Sequence, residues 1–184
     1  MTREEALKIL KENLLNQNLI KHCFAVEAIM RVLAQKFGED REKWGLAGLL
    51  HDIDYEKVKD DLSRHSLVGA KMLEDLGINK DICQAVKVHN EAHGIAPETL
   101  MEKALFVTDP LTGLIVAATL VLPSKKIKDL TTRNVLNRFK EKAFARGAKR
   151  EIIGKCEEFL RLDLEEFIKI GLEAMQSIDS DLGL

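Results

Sequence analysis

Residues 104–122 read ALFVTDPLTGLIVAATLVL, an apolar run close to the ~20 residues that cross a bilayer. Whether it lies in lipid or inside protein decides the fold. Asp109 and Pro110 stand near its start, Gly113 follows, and threonines occupy positions 108, 112 and 119. A carboxylate deep in lipid costs about 2.5 to 3.5 kcal/mol on insertion scales, and no second apolar stretch could shelter it. The run therefore reads as a helix buried on all sides at the centre of a bundle, with one carboxylate aimed inward. Pro97 suits its first turn and Pro123 its end.

Working outward, Thr2 and Glu5 form a capping box for a helix that carries Leu7, Leu10 and Leu14 and ends near Asn16. From Asn18 to Gly38, Ile20, Phe24, Ile29, Leu33 and Phe37 mark a second helix, which also bears His22. A third runs from about Asp40 through WGLAGLLHDI, Ser63 or Ser66 opens a fourth that stops at Gly77, and Asn79 caps a fifth that ends before Gly94. Downstream, two more cover 129–145 and 148–176. No stretch alternates β-branched residues between turn signals as a strand would. The expectation is all-α: one compact bundle of about seven to nine helices over residues 1–184, without a sheet. Its motif core lies at about 15–120, and the helices of 123–177 pack on it.

The 184 residues suffice for one domain with a sizeable core, and 46% apolar with 32% charged residues is the composition of a soluble globular chain. Cysteines at 23, 83 and 156 are odd in number and form no C-x-x-C pair, so neither a disulfide framework nor a thiolate zinc site is expected. The opening MTREEALKILKENLL is acidic early and lacks a cleavage pattern, so it is not read as a signal peptide. A cytoplasmic setting, with no membrane partner, follows.

All five histidines lie between positions 22 and 93, four of them at helix ends or on otherwise apolar faces. His51 and Asp52 close the apolar helix GLAGLLHD; neighbours on a helix point about 100° apart, so both can face inward only near its end. Imidazole and carboxylate without thiolate suit Zn, Mn, Fe, Co or Ni rather than Mg or Ca. A single such histidine is more often a satisfied core residue, and a single aspartate a cap. It is the ordered set His22, His51-Asp52, His65, His89 and Asp109 that asks for another reading.

In that order and spacing the chain resembles the HD-domain metal-dependent phosphohydrolases, named for the His-Asp pair that stands here in LLHDIDY. RHSLVGAKMLEDLGI resembles the family segment in which a histidine opens a helix, and VTDPLTGLIVA its last aspartate motif; the likeness covers roughly residues 15–120. The resemblance implies one divalent ion held by His22, His51, Asp52 and Asp109, and a second held by His65 and His89 with Asp52 as the bridge. With one or two such ions, a water titrates near neutrality and attacks phosphorus, and Asp54 is a candidate to position that water or move its proton. Many family members carry a lysine soon after the pair; here Asp54, Tyr55 and Glu56 precede Lys57. HNEAH is not the HExxH of zinc proteases, because Asn90 stands where the glutamate would. His93 remains a candidate contact to substrate.

Pro123 to Arg150 holds ten Lys or Arg and two acids, an excess of eight positive charges in a chain whose total is -2. Lys125, Arg138, Lys142 and Arg146 are candidate phosphate contacts, against the alternative of a solvated helical face. One Trp and one Tyr offer little stacking for RNA. The expected partner is a small phosphorylated substrate, a nucleotide above all, with homo-oligomerisation open. The rivals are a metal-stabilised regulatory module without catalysis, a di-iron oxidative enzyme of the same fold, and an RNA-binding protein that uses the basic segment.

Overall fold

The computed structural model describes all residues, 1–184, and they form helices and turns with no strand. In order these are α1 (Arg3–Asn13), α2 (Gln17–Phe37), α3 (Arg41–Leu50), α4 (Leu67–Asp75), α5 (Lys80–Val88), α6 (Leu100–Leu120) and α7 (Thr132–Lys140). The chain closes with α8 (Arg150–Ile153), α9 (Cys156–Leu160), α10 (Leu164–Gln176) and α11 (Asp179–Leu182). One contiguous apolar core joins Ala6 of α1 to Leu182 of α11.

Local chemistry fixes most of these ends. Thr2 and Glu5 make the expected capping box, Asp40 caps α3 through the amides of Glu42 and Lys43, and Gly38 ends α2 in the left-handed conformation at φ 71°. The helix expected to open at Pro97 begins at Leu100 instead, because Thr99 accepts from the Glu102 amide and Glu102 accepts from Thr99 and the Glu98 amide. Neither Ser63 nor Ser66 caps α4 with its side chain. Ser66 sits at φ 72°, and the carboxylate of Asp54 reaches over to accept from the Ser66 and Gly69 amides at 2.9 and 2.7 Å.

The C-terminal third is more broken than its periodicity suggests. The helix expected over 129–145 shrinks to α7, and that expected over 148–176 divides into α8, α9 and α10. Arg161 in the left-handed region stops α9, and Asp163 starts α10 by accepting from the Glu166 amide. Between α7 and α8 the chain is tied by one side chain: the Arg150 guanidinium donates to six backbone carbonyls, from Arg138 to Ala148.

Helix α6 is the only one long and apolar enough to cross a membrane, and most of it is buried inside the bundle against α2, α5, α7, α8 and α9. Around it, α2 and α3 approach more closely than leucine-lined helices can. Gly45 and Gly48 of α3 both face α2, and a methyl group on Gly48 would lie 2.9 Å from the Glu27 backbone N and Cα. Glu27 is itself buried on α2 and neutralised by Arg3, whose guanidinium donates to both carboxylate oxygens at 2.6 and 2.9 Å. Backbone cannot yield as a flexible side chain can, so Gly48→Ala should cost about 1–3 kcal/mol. Denaturant titration should show a lower midpoint at unchanged slope; an unmoved midpoint would mean that α2 and α3 separate there freely.

Candidate metal centre

That close crossing sets His22, on α2, beside the end of α3. There the chain leaves the helix at Leu50 and turns, so that His51 and Asp52 both point inward. His65 arrives from the residue before the α4 cap, His89 from the end of α5, and Asp109 from the middle of α6. Pro110 lacks the N–H that would bind the carbonyl of Phe106, while the Asp109 carbonyl accepts from the Thr112 hydroxyl at 2.8 Å. The six side chains expected to act together are therefore brought together.

Each imidazole is oriented by what its Nδ1 meets. His51 Nδ1 lies 2.8 Å from the Gly48 carbonyl and His89 Nδ1 2.6 Å from the Val86 carbonyl, so both must donate. His65 Nδ1 donates to Asp54 Oδ1 at 2.9 Å. The Thr112 hydroxyl already donates to the Asp109 carbonyl, so at 3.0 Å it accepts from His22 Nδ1. All four rings thus present Nε2 to one another and to the two aspartates. Such outer partners fix both tautomer and direction in metal sites.

His22 Nε2 and His51 Nε2 stand 3.1 Å apart. With both Nδ1 hydrogens spent elsewhere, two lone pairs face each other, a repulsion that only a proton or a cation relieves. Ligand atoms around one ion at about 2.0–2.2 Å stand about 2.8 to 3.6 Å apart. The spacings here are 3.0 Å for His22–Asp109, 3.4 Å for His51–Asp52, 3.6 Å for His22–Asp52 and 3.8 Å for His51–Asp109. His65 and His89 approach the same Oδ1 of Asp52, at 3.2 and 3.6 Å. The donor set fits divalent metal, with Asp52 reaching both groups of imidazoles, and two overlapping trios, His22-His51-Asp109 and His51-Asp52-His89, could each hold an ion.

Electrostatics in the metal-free state point the same way. Burial lowers the pKa of His65, but Asp52 and Asp54 outweigh it and raise the value to about 9. Burial works against His51 too, yet Asp52 and Asp109 hold it well above the ordinary range. Burial would raise the carboxyls of Asp52 and Asp109, and the surrounding imidazoles drive both below their usual range instead. Protons thus occupy the place a cation would take.

Other candidates are placed differently. Asp54 is fully buried and spends its carboxylate on His65, Ser66 and Gly69, which makes it a positioning residue behind the cluster rather than a group facing the cleft. His93 also stands behind it: its Nε2 donates to the His65 carbonyl at 2.6 Å. Lys125, Lys142 and Arg146 lie exposed, and Arg138 pairs with Glu141 at 2.8 Å over the ring of Phe144; none of the four lines the cleft. The basic residue that does is Lys149, paired with Glu91 across the opening. Tyr55 completes one wall, edge-on to His65 at 5.2 Å. In the sequence Lys149 is one of ten basic residues between Pro123 and Arg150, and nothing local sets it apart from the others.

The pKa directions give a sign for stability. A raised histidine stabilises fully below its unfolded pKa of 6.5 and loses that contribution as pH rises through about 9. The lowered carboxyls stabilise above 3.8 and lose theirs as pH falls. Chelator-treated protein should therefore melt at progressively lower temperature as pH rises from 6.5 to about 9, and less steeply in His65→Gln. A flat profile would show that His65 is neutral without metal.

Comparison with known proteins agrees with this geometry. The family model for the HD domain matches residues 19–114. Ribonuclease Y of Lawsonia intracellularis is 30% identical over 139 residues, covering 74% of this chain and 26% of the relative. Ribonuclease Y of Nitratidesulfovibrio vulgaris is 31% identical over 140 residues, with shares of 74% and 27%. An uncharacterised protein of Methanocaldococcus jannaschii is 34% identical over 110 residues, 57% of this chain and 63% of its own length. The chain thus spans about a quarter of the ribonucleases it matches, and no solved structure matches it. With four imidazoles and two aspartates converging as described and the family model covering more than half the chain, the protein belongs to the HD-domain family, a superfamily of metal-dependent phosphohydrolases.

Proposed function

We propose that this protein hydrolyses a phosphate ester of a small molecule, such as a nucleotide, using one or two divalent transition-metal ions (Mn, Fe, Co, Ni or Zn) held by His22, His51, Asp52, His65, His89 and Asp109. The observation that carries the reading is the common orientation of the four rings, each with Nδ1 bound outside and Nε2 turned to Asp52 or Asp109. A divalent ion at such a site supplies Lewis acidity and a water that ionises near neutrality.

The protein's own groups do the rest. Gly48, Val86, Thr112 and Asp54 hold the imidazoles so that the donor set is formed before substrate arrives. Asp52 and Asp109 carry the negative charge that retains the cation. Oxygen from water forms the new bond to phosphorus, the ester P–O bond breaks, and the proton from water leaves on the departing alcohol.

A second reading, cleavage of RNA phosphodiester bonds, draws on the ribonuclease name of the two bacterial relatives. Turnover of a chromogenic phosphate ester, of nucleotides and of a short RNA, each with Mn²⁺, Co²⁺ or Ni²⁺, separates the two. Bound metal without turnover of any of them would favour a regulatory module, and dependence on ferrous iron and O₂ an oxidative enzyme.

Asp52→Ala removes the carboxylate common to both imidazole groups and should abolish metal binding and turnover together; retained turnover would overturn the assignment. His65→Ala should lower metal content, read by elemental analysis, by about one ion per chain. Unchanged stoichiometry would mean that a single ion is held by the other residues.

A further inference from the structure

The cleft over the cluster is divided in two. On one side a cavity of about 290 Å³ lies over Asp52, walled by Leu19, Tyr55, His65 and Asn90. On the other a cavity of about 370 Å³ is walled largely by apolar or small groups, among them Phe106, Pro110, Gly113, Ala148 and Ile152. His22, His89, Asp109, Glu91 and Lys149 border both. Two of these shared residues, Lys149 and Glu91, form an ion pair with each other.

The two partners are held unequally. Glu91 opens the Glu91–His93 turn, whose His93 donates to the His65 carbonyl, so it is tied to the cluster. Lys149 comes from the Arg150-stitched segment far along the chain and reaches across. Both side chains keep more than a third of their surface in water, and an ion pair so exposed is weakly held. Lys149 is also the only lysine or arginine bordering either cavity, and beyond the metal ligands His22, His89 and Asp109 the larger chamber's other charged group is Glu91. A phosphoryl group carries more charge and more acceptor oxygens than a carboxylate. It can therefore take the ammonium from Glu91, while a second phosphoryl group in the larger chamber would meet the Glu91 carboxylate and no second lysine or arginine.

Resting on the phosphohydrolase reading above, we infer that Lys149 is the phosphate-binding residue, that Glu91 holds it in place between turnovers, and that the substrates are esters bearing a single phosphoryl group and an uncharged, apolar or aromatic organic part. The phosphoryl group sits between Lys149 and the cluster, and the organic part occupies the chamber of Phe106 and Gly113. Gly113 is the place to test that chamber, because a side chain added there meets nothing within 4 Å.

The test uses metal-loaded, full-length protein and inorganic phosphate as probe, followed by calorimetry, with metal content checked for every variant. Lys149→Met should weaken phosphate binding about tenfold and Glu91→Gln should tighten it severalfold. Gly113→Leu should raise the KM for 4-nitrophenyl phosphate while leaving the affinity for inorganic phosphate within about twofold. Wild-type protein should prefer 4-nitrophenyl phosphate to nucleoside triphosphates and to RNA. Phosphate affinity unmoved by both Lys149→Met and Glu91→Gln, at full metal content, would overturn the inference, as would equal turnover of triphosphates. Because phosphate binding is read without turnover, these outcomes stay distinct from failure of the hydrolase reading, which would appear as wild-type protein that hydrolyses none of the esters.

Discussion

Everything at the centre depends on two helices packed backbone to backbone. Where Gly48 meets Glu27, α3 lies against α2 without a side chain between them, and this brings the end of α3 within one imidazole of His22. Leucines at that contact would hold the axes near the usual 8–10 Å for helix pairs and would part the two rings. The same carbonyl that Gly48 exposes orients His51. One glycine thus serves packing, placement and tautomer at once, and the buried Glu27 beside it needs Arg3 from α1 to be tolerated.

A second constraint is charge. Six ionisable groups gathered in a largely buried place cost desolvation that their mutual pairing must offset. In the metal-free state protons on His51 and His65 do this, drawn by Asp52, Asp54 and Asp109. The cluster is therefore a place where folding tolerates charge for the sake of chemistry, and the surrounding core of α2, α3, α5 and α6 is what makes it affordable.

Much of this was legible in the sequence, for reasons that differ by feature. The central helix was legible because Asp109 and Pro110 rule out lipid while the apolar run demands burial, and α6 is buried as that requires. The six clustered residues were legible as an ordered set, since histidines on apolar faces need partners. Asp54 was not: two residues after the pair it reads as a group that positions water or moves its proton, and only the fold shows that it replaces the missing side-chain cap of α4. The basic segment misled by its number of charges. Periodicity cannot show which lysine meets the cleft, because Arg150 bends residues 141–149 into a loop through carbonyl contacts that leave no trace in hydropathy. The breaks at Arg161 and before Asp163 are likewise turns that an amphipathic pattern runs straight through.

The outer partners of the four rings are of two kinds. His51 and His89 are aimed by carbonyls three residues back in their own helices, which no side-chain substitution can remove. His22 and His65 are aimed by the side chains of Thr112 and Asp54, which substitution can. Each half of the cluster so contains one ring that evolution cannot easily re-aim and one that it can. Positions 112 and 54 are therefore the dials by which descendants of this chain could shift metal preference at either half while keeping every ligand unchanged.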